Sequence, residues 1–194
     1  MKLSRKTALG GLFIALSIIL PQIIHLFGAA DLGRILLPMH IPVLLSGYVL
    51  GPFFGLAVGA VSPILSCFIT NMPSLGRLVF MVFELAGYGF MSGLLYRTLN
   101  FRRFRFGAAL SLAGAMIFGR LMYALTLFVA ADLLHISKIG PIAVLEAAAT
   151  GIIGIIIQII FIPAMVYLLQ KIRVIDPPDS QKKNLNIEDN QTAG

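Results

Sequence analysis

Leu37–Pro73 reads LPMHIPVLLSGYVLGPFFGLAVGAVSPILSCFITNMP and holds no Asp, Glu, Lys or Arg. Charge is absent over a longer run still, the 42 residues from Ile35 to Gly76. As one straight helix that run would be roughly 63 Å long, about twice the ~30 Å hydrocarbon core of a bilayer. Gly51-Pro52 sits near its middle, where a chain turns rather than continues a helix. The run therefore reads as two membrane spans joined by a very short turn.

Composition supports the same class. The chain has 194 residues, 58% hydrophobic and 12% charged, against about 25% charged in soluble domains. Mean hydropathy is +0.94. This is an integral membrane protein, and its length suits one bundle rather than two domains. A net charge of +7 would suggest nucleic acid in a soluble chain. Here the basic residues lie between apolar segments, so topology explains them better. Cys67 stands alone inside an apolar segment. It excludes an internal disulfide and any CxxC site, and reads as a small buried hydrophobe. The basic-then-apolar N-terminus has the order of a signal peptide. Its apolar part, Ala8 to Leu26, outruns the usual ~7–15-residue signal core, so it is expected to stay as a first transmembrane helix.

The remaining chain supplies four more spans. Span one is expected at about Thr7–Phe27, and spans two and three at Leu37–Leu50 and Phe53–Thr70. Span two carries Pro38 and Pro42 near its start. They imply irregular backbone, which at membrane depth must be covered by protein or line a wet cavity. Spans four, five and six are expected at about Arg77–Tyr96, Gly107–Ala131 and Ile142–Gln170. With the N-terminus inside, cytoplasmic segments hold 11 of the 15 basic residues, among them Arg97, Arg102, Arg103 and Arg105. If Leu37–Pro73 crossed only once, that arginine cluster would fall outside, against the positive-inside rule. The expected fold is an all-α, six-transmembrane-helix bundle over residues 1–175 with both termini cytoplasmic. Residues 176–194 form a polar tail with almost no apolar content, expected to be disordered. Asn190-Gln191-Thr192 lies in that cytoplasmic tail and is a chance glycosylation match.

Ionisable residues inside spans are costly and usually functional. Three occur, Glu84 in span four, Arg120 in span five and Glu146 in span six. All are expected in the outer half or at the midplane, as in a pocket open to the outside. Tyr88 follows Glu84 by four residues and Tyr123 follows Arg120 by three, so each tyrosine shares a helix face with its charge. Two readings stand. Arg120 either ties helices together through Glu84 or Glu146, or grips a ligand carboxylate with its planar fork. His40, between Pro38 and Pro42, is expected at the pocket mouth, as a ligand contact or as a cap. His25 and His135 receive no role, and three scattered histidines make no metal site. Ala8, Gly11 and Ala15 give span one a small-residue groove for a close helix neighbour, within the bundle or beyond it. Gly55/Gly59 and Gly89/Gly93 repeat that spacing. No phosphate loop of the GxxxxGK[ST] type is present, so the chain does not use ATP that way. No nucleophile–base pair stands out, and no cofactor is expected.

Five stretches resemble the substrate-binding S components of energy-coupling factor (ECF) vitamin transporters. They are Leu37–Leu45 (LPMHIPVLL), Gly51–Gly55 (GPxxG), Ser62–Ser66 (SPILS), Asn71–Pro73 (NMP) and Phe83–Gly89 (FELAGYG). The resemblance implies a six-helix, non-enzymatic vitamin-capture subunit in the plasma membrane. It also implies docking to a membrane T component and two cytoplasmic ATPases. Transport would proceed by toppling of the S component in the membrane. Docking in that family uses an Ala-x-x-x-Ala pattern in the first helix, and Gly11-x-x-x-Ala15 sits at that place. The LPMHIP-type stretch looks most like pantothenate-type members. Asn71, Glu84, Tyr88 and Arg120 suit that ligand's carboxylate, hydroxyls and amide, while Gly28–Pro38 is placed as a lid. Cobalamin, folate or a queuosine precursor are the alternative substrates. A stand-alone secondary transporter, or a membrane enzyme or scaffold, is the alternative class.

Overall fold

The computed structural model describes residues 2–26, 35–104, 106–134, 151–172 and 174–175, with 131–134 as backbone only. Six α-helices run through these residues. They are α1 (Leu3–Leu26), α2 (His40–Leu50), α3 (Pro52–Thr70), α4 (Leu75–Gly93), α5 (Gly107–Leu134) and α6 (Ile152–Lys171). Helix α4 runs on into a π-helical turn, Leu94–Thr98, and a 3-10 turn, Phe101–Arg103, leads towards α5. No strand occurs among the described residues. Five of the helices are long and apolar enough to cross a membrane, and α2 is a shorter apolar helix. The all-α, six-helix bundle expected from the sequence is the fold.

Helix α2 is the axis. Ten of its 11 residues are buried, as befits a helix that is apolar all round. Helices α1, α3, α4 and α6 pack on it, and α5 closes the arc between α4 and α6. At 1.5 Å per residue α2 is only about 16 Å long, half a bilayer core. It ends at Gly51, whose φ of 98° and ψ of 178° suit glycine best. Pro52 then opens α3, where a missing N–H costs nothing. The single-residue turn lies where the charge-free run led one to expect it. At the other end, residues 35–36 are helical and residues 37–39 form a turn, with Leu37 at φ 50°. This is the irregular start that Pro38 and Pro42 announce, and α6 covers it. A Cβ on Gly154 would stand 2.5 Å from the Ile35 carbonyl oxygen, and Gln158 donates to the Leu37 carbonyl at 3.4 Å.

Helices α3 and α4 meet backbone to backbone. A Cβ on Gly55 would lie 2.2 Å from the Gly89 carbonyl oxygen, and one on Gly89 would lie 2.1 Å from that of Gly55. Gly59 stands likewise against Leu85, and Gly93 against Pro52. The repeated small-residue spacing is thus internal packing for these two helices. On α1 the same spacing faces out. Gly10 and Ser17 are buried, while Ala8, Gly11 and Ala15 are exposed and Gly11 has open space around it.

One end of the bundle is pinned by polar contacts. Arg97 Nη1 donates to the Val49 carbonyl at 2.6 Å, which satisfies an orphan acceptor of the last α2 turn. Tyr48 donates to the Ala108 carbonyl at 2.8 Å and meets Tyr96 edge to face at 4.8 Å. Gln170 of α6 donates to the Tyr96 hydroxyl.

Element limits differ from the expected spans in readable ways. Helix α1 starts at Leu3 rather than Thr7, because Lys2, Arg5 and Lys6 carry charge on long stems that reach out of an apolar helix. Lys6 stands 5.7 Å over the Phe54 ring. Helix α5 runs to Leu134, beyond the expected end at Ala131. Residues 142–150 of the expected sixth span lie outside the described residues, as do residues 28–34 of the expected lid and the tail 176–194.

Gly89→Leu is expected to force α3 and α4 apart and to cost about 3 kcal/mol or more. Gly11→Leu, in open space, should stay within about 0.5 kcal/mol of wild type. Thermal unfolding of the two purified variants in detergent checks both.

Candidate functional site

The bundle brings four of the expected site residues together at mid-depth. Glu84 sits nine positions into α4, about 13 Å along it. Tyr88 is one turn further on. Arg120 sits 13 positions into α5, about 20 Å along. His40 opens α2. Other helices cover α2, and His40 is 3% exposed within the bundle.

Contacts within the cluster are direct. Arg120 Nη1 stands 3.1 Å from Glu84 Oε1, and the Tyr88 hydroxyl donates to the same oxygen at 3.1 Å. The imidazole of His40 meets the Tyr88 ring edge to face, centroids 5.3 Å apart. Of the expected partners for Arg120, Glu84 is the one in place. Glu146 lies outside the described residues.

Hydrogen bonding is incomplete here, which sets the cluster apart from a finished structural ion pair. Buried polar atoms are normally satisfied. Arg120 Nη2 and both ring nitrogens of His40 are buried without a well-formed hydrogen bond. For His40, the Leu37 carbonyl is the backbone group that leans on the ring. Donors and acceptors are therefore held ready at one spot, on three helices locked by glycine packing. Arg120 is not fully enclosed: its side chain keeps 21% exposure, beside the apolar α5 residues Met116, Ile117, Leu121 and Ala124.

Two other expected residues stand apart. Asn71 is exposed and caps α3 in the left-handed region, φ 55° and ψ 20°, with its N–H on the Cys67 carbonyl. Its local role is to end the helix, as asparagine can at such positions. Tyr123 is half-buried one turn from Arg120, with its ring against Phe80 at 6.1 Å. Among the described residues no group of three or more His, Cys, Asp or Glu could hold a metal ion.

Gln158 is the polar residue that the charge-based reading passed over. It is 2% exposed and reaches the turn just before His40. A signal was present, since it is the one amide in the apolar run Ile152–Val166.

Arg120→Ala should destabilise the protein by roughly 3 kcal/mol, the low end for a broken buried pair. Tyr88→Phe should cost about 1.5 kcal/mol, one hydrogen bond to a charged group. A double variant, Glu84→Gln with Arg120→Gln, should recover most of the loss in the first. Denaturation midpoints of the four proteins decide this.

Residues 5–169 match the family model described as ECF transporter, substrate-specific component. Neither the curated proteins nor the solved structures give a match to the chain.

Proposed function

The chain belongs to the family of ECF transporter substrate-specific components, and from that premise we propose that it captures a vitamin at the His40–Glu84–Tyr88–Arg120 cluster. Membership makes it an integral plasma-membrane transporter subunit rather than an enzyme. It also implies a small-molecule substrate and association with a T component and ATPases.

The observation that carries the site is the set of unsatisfied buried atoms, Arg120 Nη2 and the two His40 nitrogens. Polar atoms left without partners inside a bundle normally cost stability. A bound ligand that pairs with them offsets that cost only when it is present, which is the property a capture site needs. Pantothenate is the ligand we favour. Its carboxylate suits a guanidinium, and its hydroxyls and amide suit imidazole and phenol. Tyr123 stands close enough along α5 to form a wall of the site. Asn71 would act on the ligand only through the connection it terminates.

Docking is assigned to the exposed Ala8, Gly11 and Ala15 face of α1. Leu12 and Leu16 flank it, 53% and 37% exposed. A face of small residues lets another helix approach closely, and α1 has its own packing face on the opposite side. The arginine-rich end is assigned to the cytoplasm by the positive-inside rule, which places both termini there.

Mass spectrometry of small molecules retained through purification should find pantothenate. Arg120→Lys, which loses the planar fork, should weaken its binding about tenfold or more. Wild-type protein that retains no small molecule and binds no vitamin would overturn the reading. Gly11→Phe should leave ligand binding intact while abolishing ATP-dependent uptake in cells that supply the partner subunits.

A further inference from the structure

The charge balance of the cluster points to a specificity role for Glu84, given the reading of the cluster as the ligand site. Arg120 and Glu84 are one cation and one anion, in contact at 3.1 Å. From α4 itself Tyr88 donates to Glu84, and α2 adds the His40 imidazole against the Tyr88 ring. Arg77, the next cation along α4, is exposed and seven residues away. So the guanidinium is already matched by a carboxylate of the chain.

A guanidinium grips a carboxylate best with two parallel N–H bonds. Here Nη1 is engaged by Glu84, and Nη2 is buried and unpartnered. An incoming carboxylate that wants both must take the place of Glu84. If it binds beside Glu84 instead, two negative charges share one positive charge away from water, which is strongly unfavourable. An uncharged hydroxyl or amide faces neither problem. It can pair with Nη2 and His40 while the ion pair stays closed.

We propose that Glu84 is a built-in counter-carboxylate, which competes with an anionic ligand for Arg120 and so sets how strongly the site favours anions over uncharged ligands. Removal of its charge then tightens anion binding, the opposite of what a direct ligand contact would do.

Two measurements on the full chain in detergent test this. The first needs no knowledge of the vitamin. Acetate is titrated at constant ionic strength against wild type, Glu84→Gln, and the Glu84→Gln/Arg120→Gln double variant. Acetate should raise the unfolding midpoint of Glu84→Gln by about 3 °C or more, saturably, the size of a ~1 kcal/mol effect in a chain of this length. Wild type and the double variant should respond little. Equal responses from all three would overturn the proposal. If Glu84→Gln does not purify folded, Glu84→Asp, whose carboxylate is drawn back by one methylene, should show the same response at smaller size.

The second compares pantothenate with its uncharged alcohol analogue. Glu84→Gln should raise the ratio of the two affinities about tenfold in favour of pantothenate. A fall in pantothenate affinity would make Glu84 a direct ligand contact and sink the counter-carboxylate role, while supporting the ligand site. An acetate response without pantothenate binding by any variant would support the counter-carboxylate and overturn the choice of vitamin.

Discussion

Backbone groups inside a bilayer have no water to turn to, and this chain turns inside the bundle just before α2. That turn, residues 37–39, governs the architecture around it. A free turn in hydrocarbon would leave carbonyls and N–H groups unpaired. It survives because α6 lies over it, with Gly154 against the Ile35 and Leu36 backbone and Gln158 on the Leu37 carbonyl. The turn also sets the start of α2, and so carries His40 into the core.

Rigidity around the cluster comes from a different source. Glycines of α3 and α4 let the two backbones touch, with Gly55 and Gly89 each filling the space a Cβ would need on the other. Glu84 and Tyr88 project from α4 next to this contact, and Leu85, between them, is fully buried. The contact has no long side chains that could shift. The position of the carboxylate is therefore set by backbone, while its partner Arg120 reaches over on a flexible stem from α5.

Much of the fold was legible because membrane rules are strict. The length of the charge-free run and the place of Gly51-Pro52 located two helices and their turn. The lone charges at 84 and 120 stood out as a pair in waiting, since a charge in hydrocarbon needs a partner, and they do pair. Depth was less legible. Hydropathy shows that residues 37–50 are apolar but not that only the last 11 are helical, nor how deeply His40 is buried in the bundle. Asn71 suffered from a related ambiguity. An Asn two residues before Pro73 fits both a binding loop and a helix stop, and its left-handed backbone ends α3. Gln158 was missed because an amide carries no charge, although its unmet hydrogen bonds pose a similar problem in an apolar setting.

The π-helical turn Leu94–Thr98 gives the chain an unusual sensitivity to length. Such a turn is in effect an α-helix with one residue too many. Each residue advances a helix by about 100°, so the extra one sets which way everything after it faces. Here it lets Tyr96 meet Tyr48 and lets Arg97 reach the Val49 carbonyl. Loss of any single residue between 94 and 98 would relax the turn to a regular helix and rotate the following pins away from α2. In this stretch the number of residues carries information apart from their identity. Homologous chains that keep the pins should tolerate substitutions between them more readily than gaps.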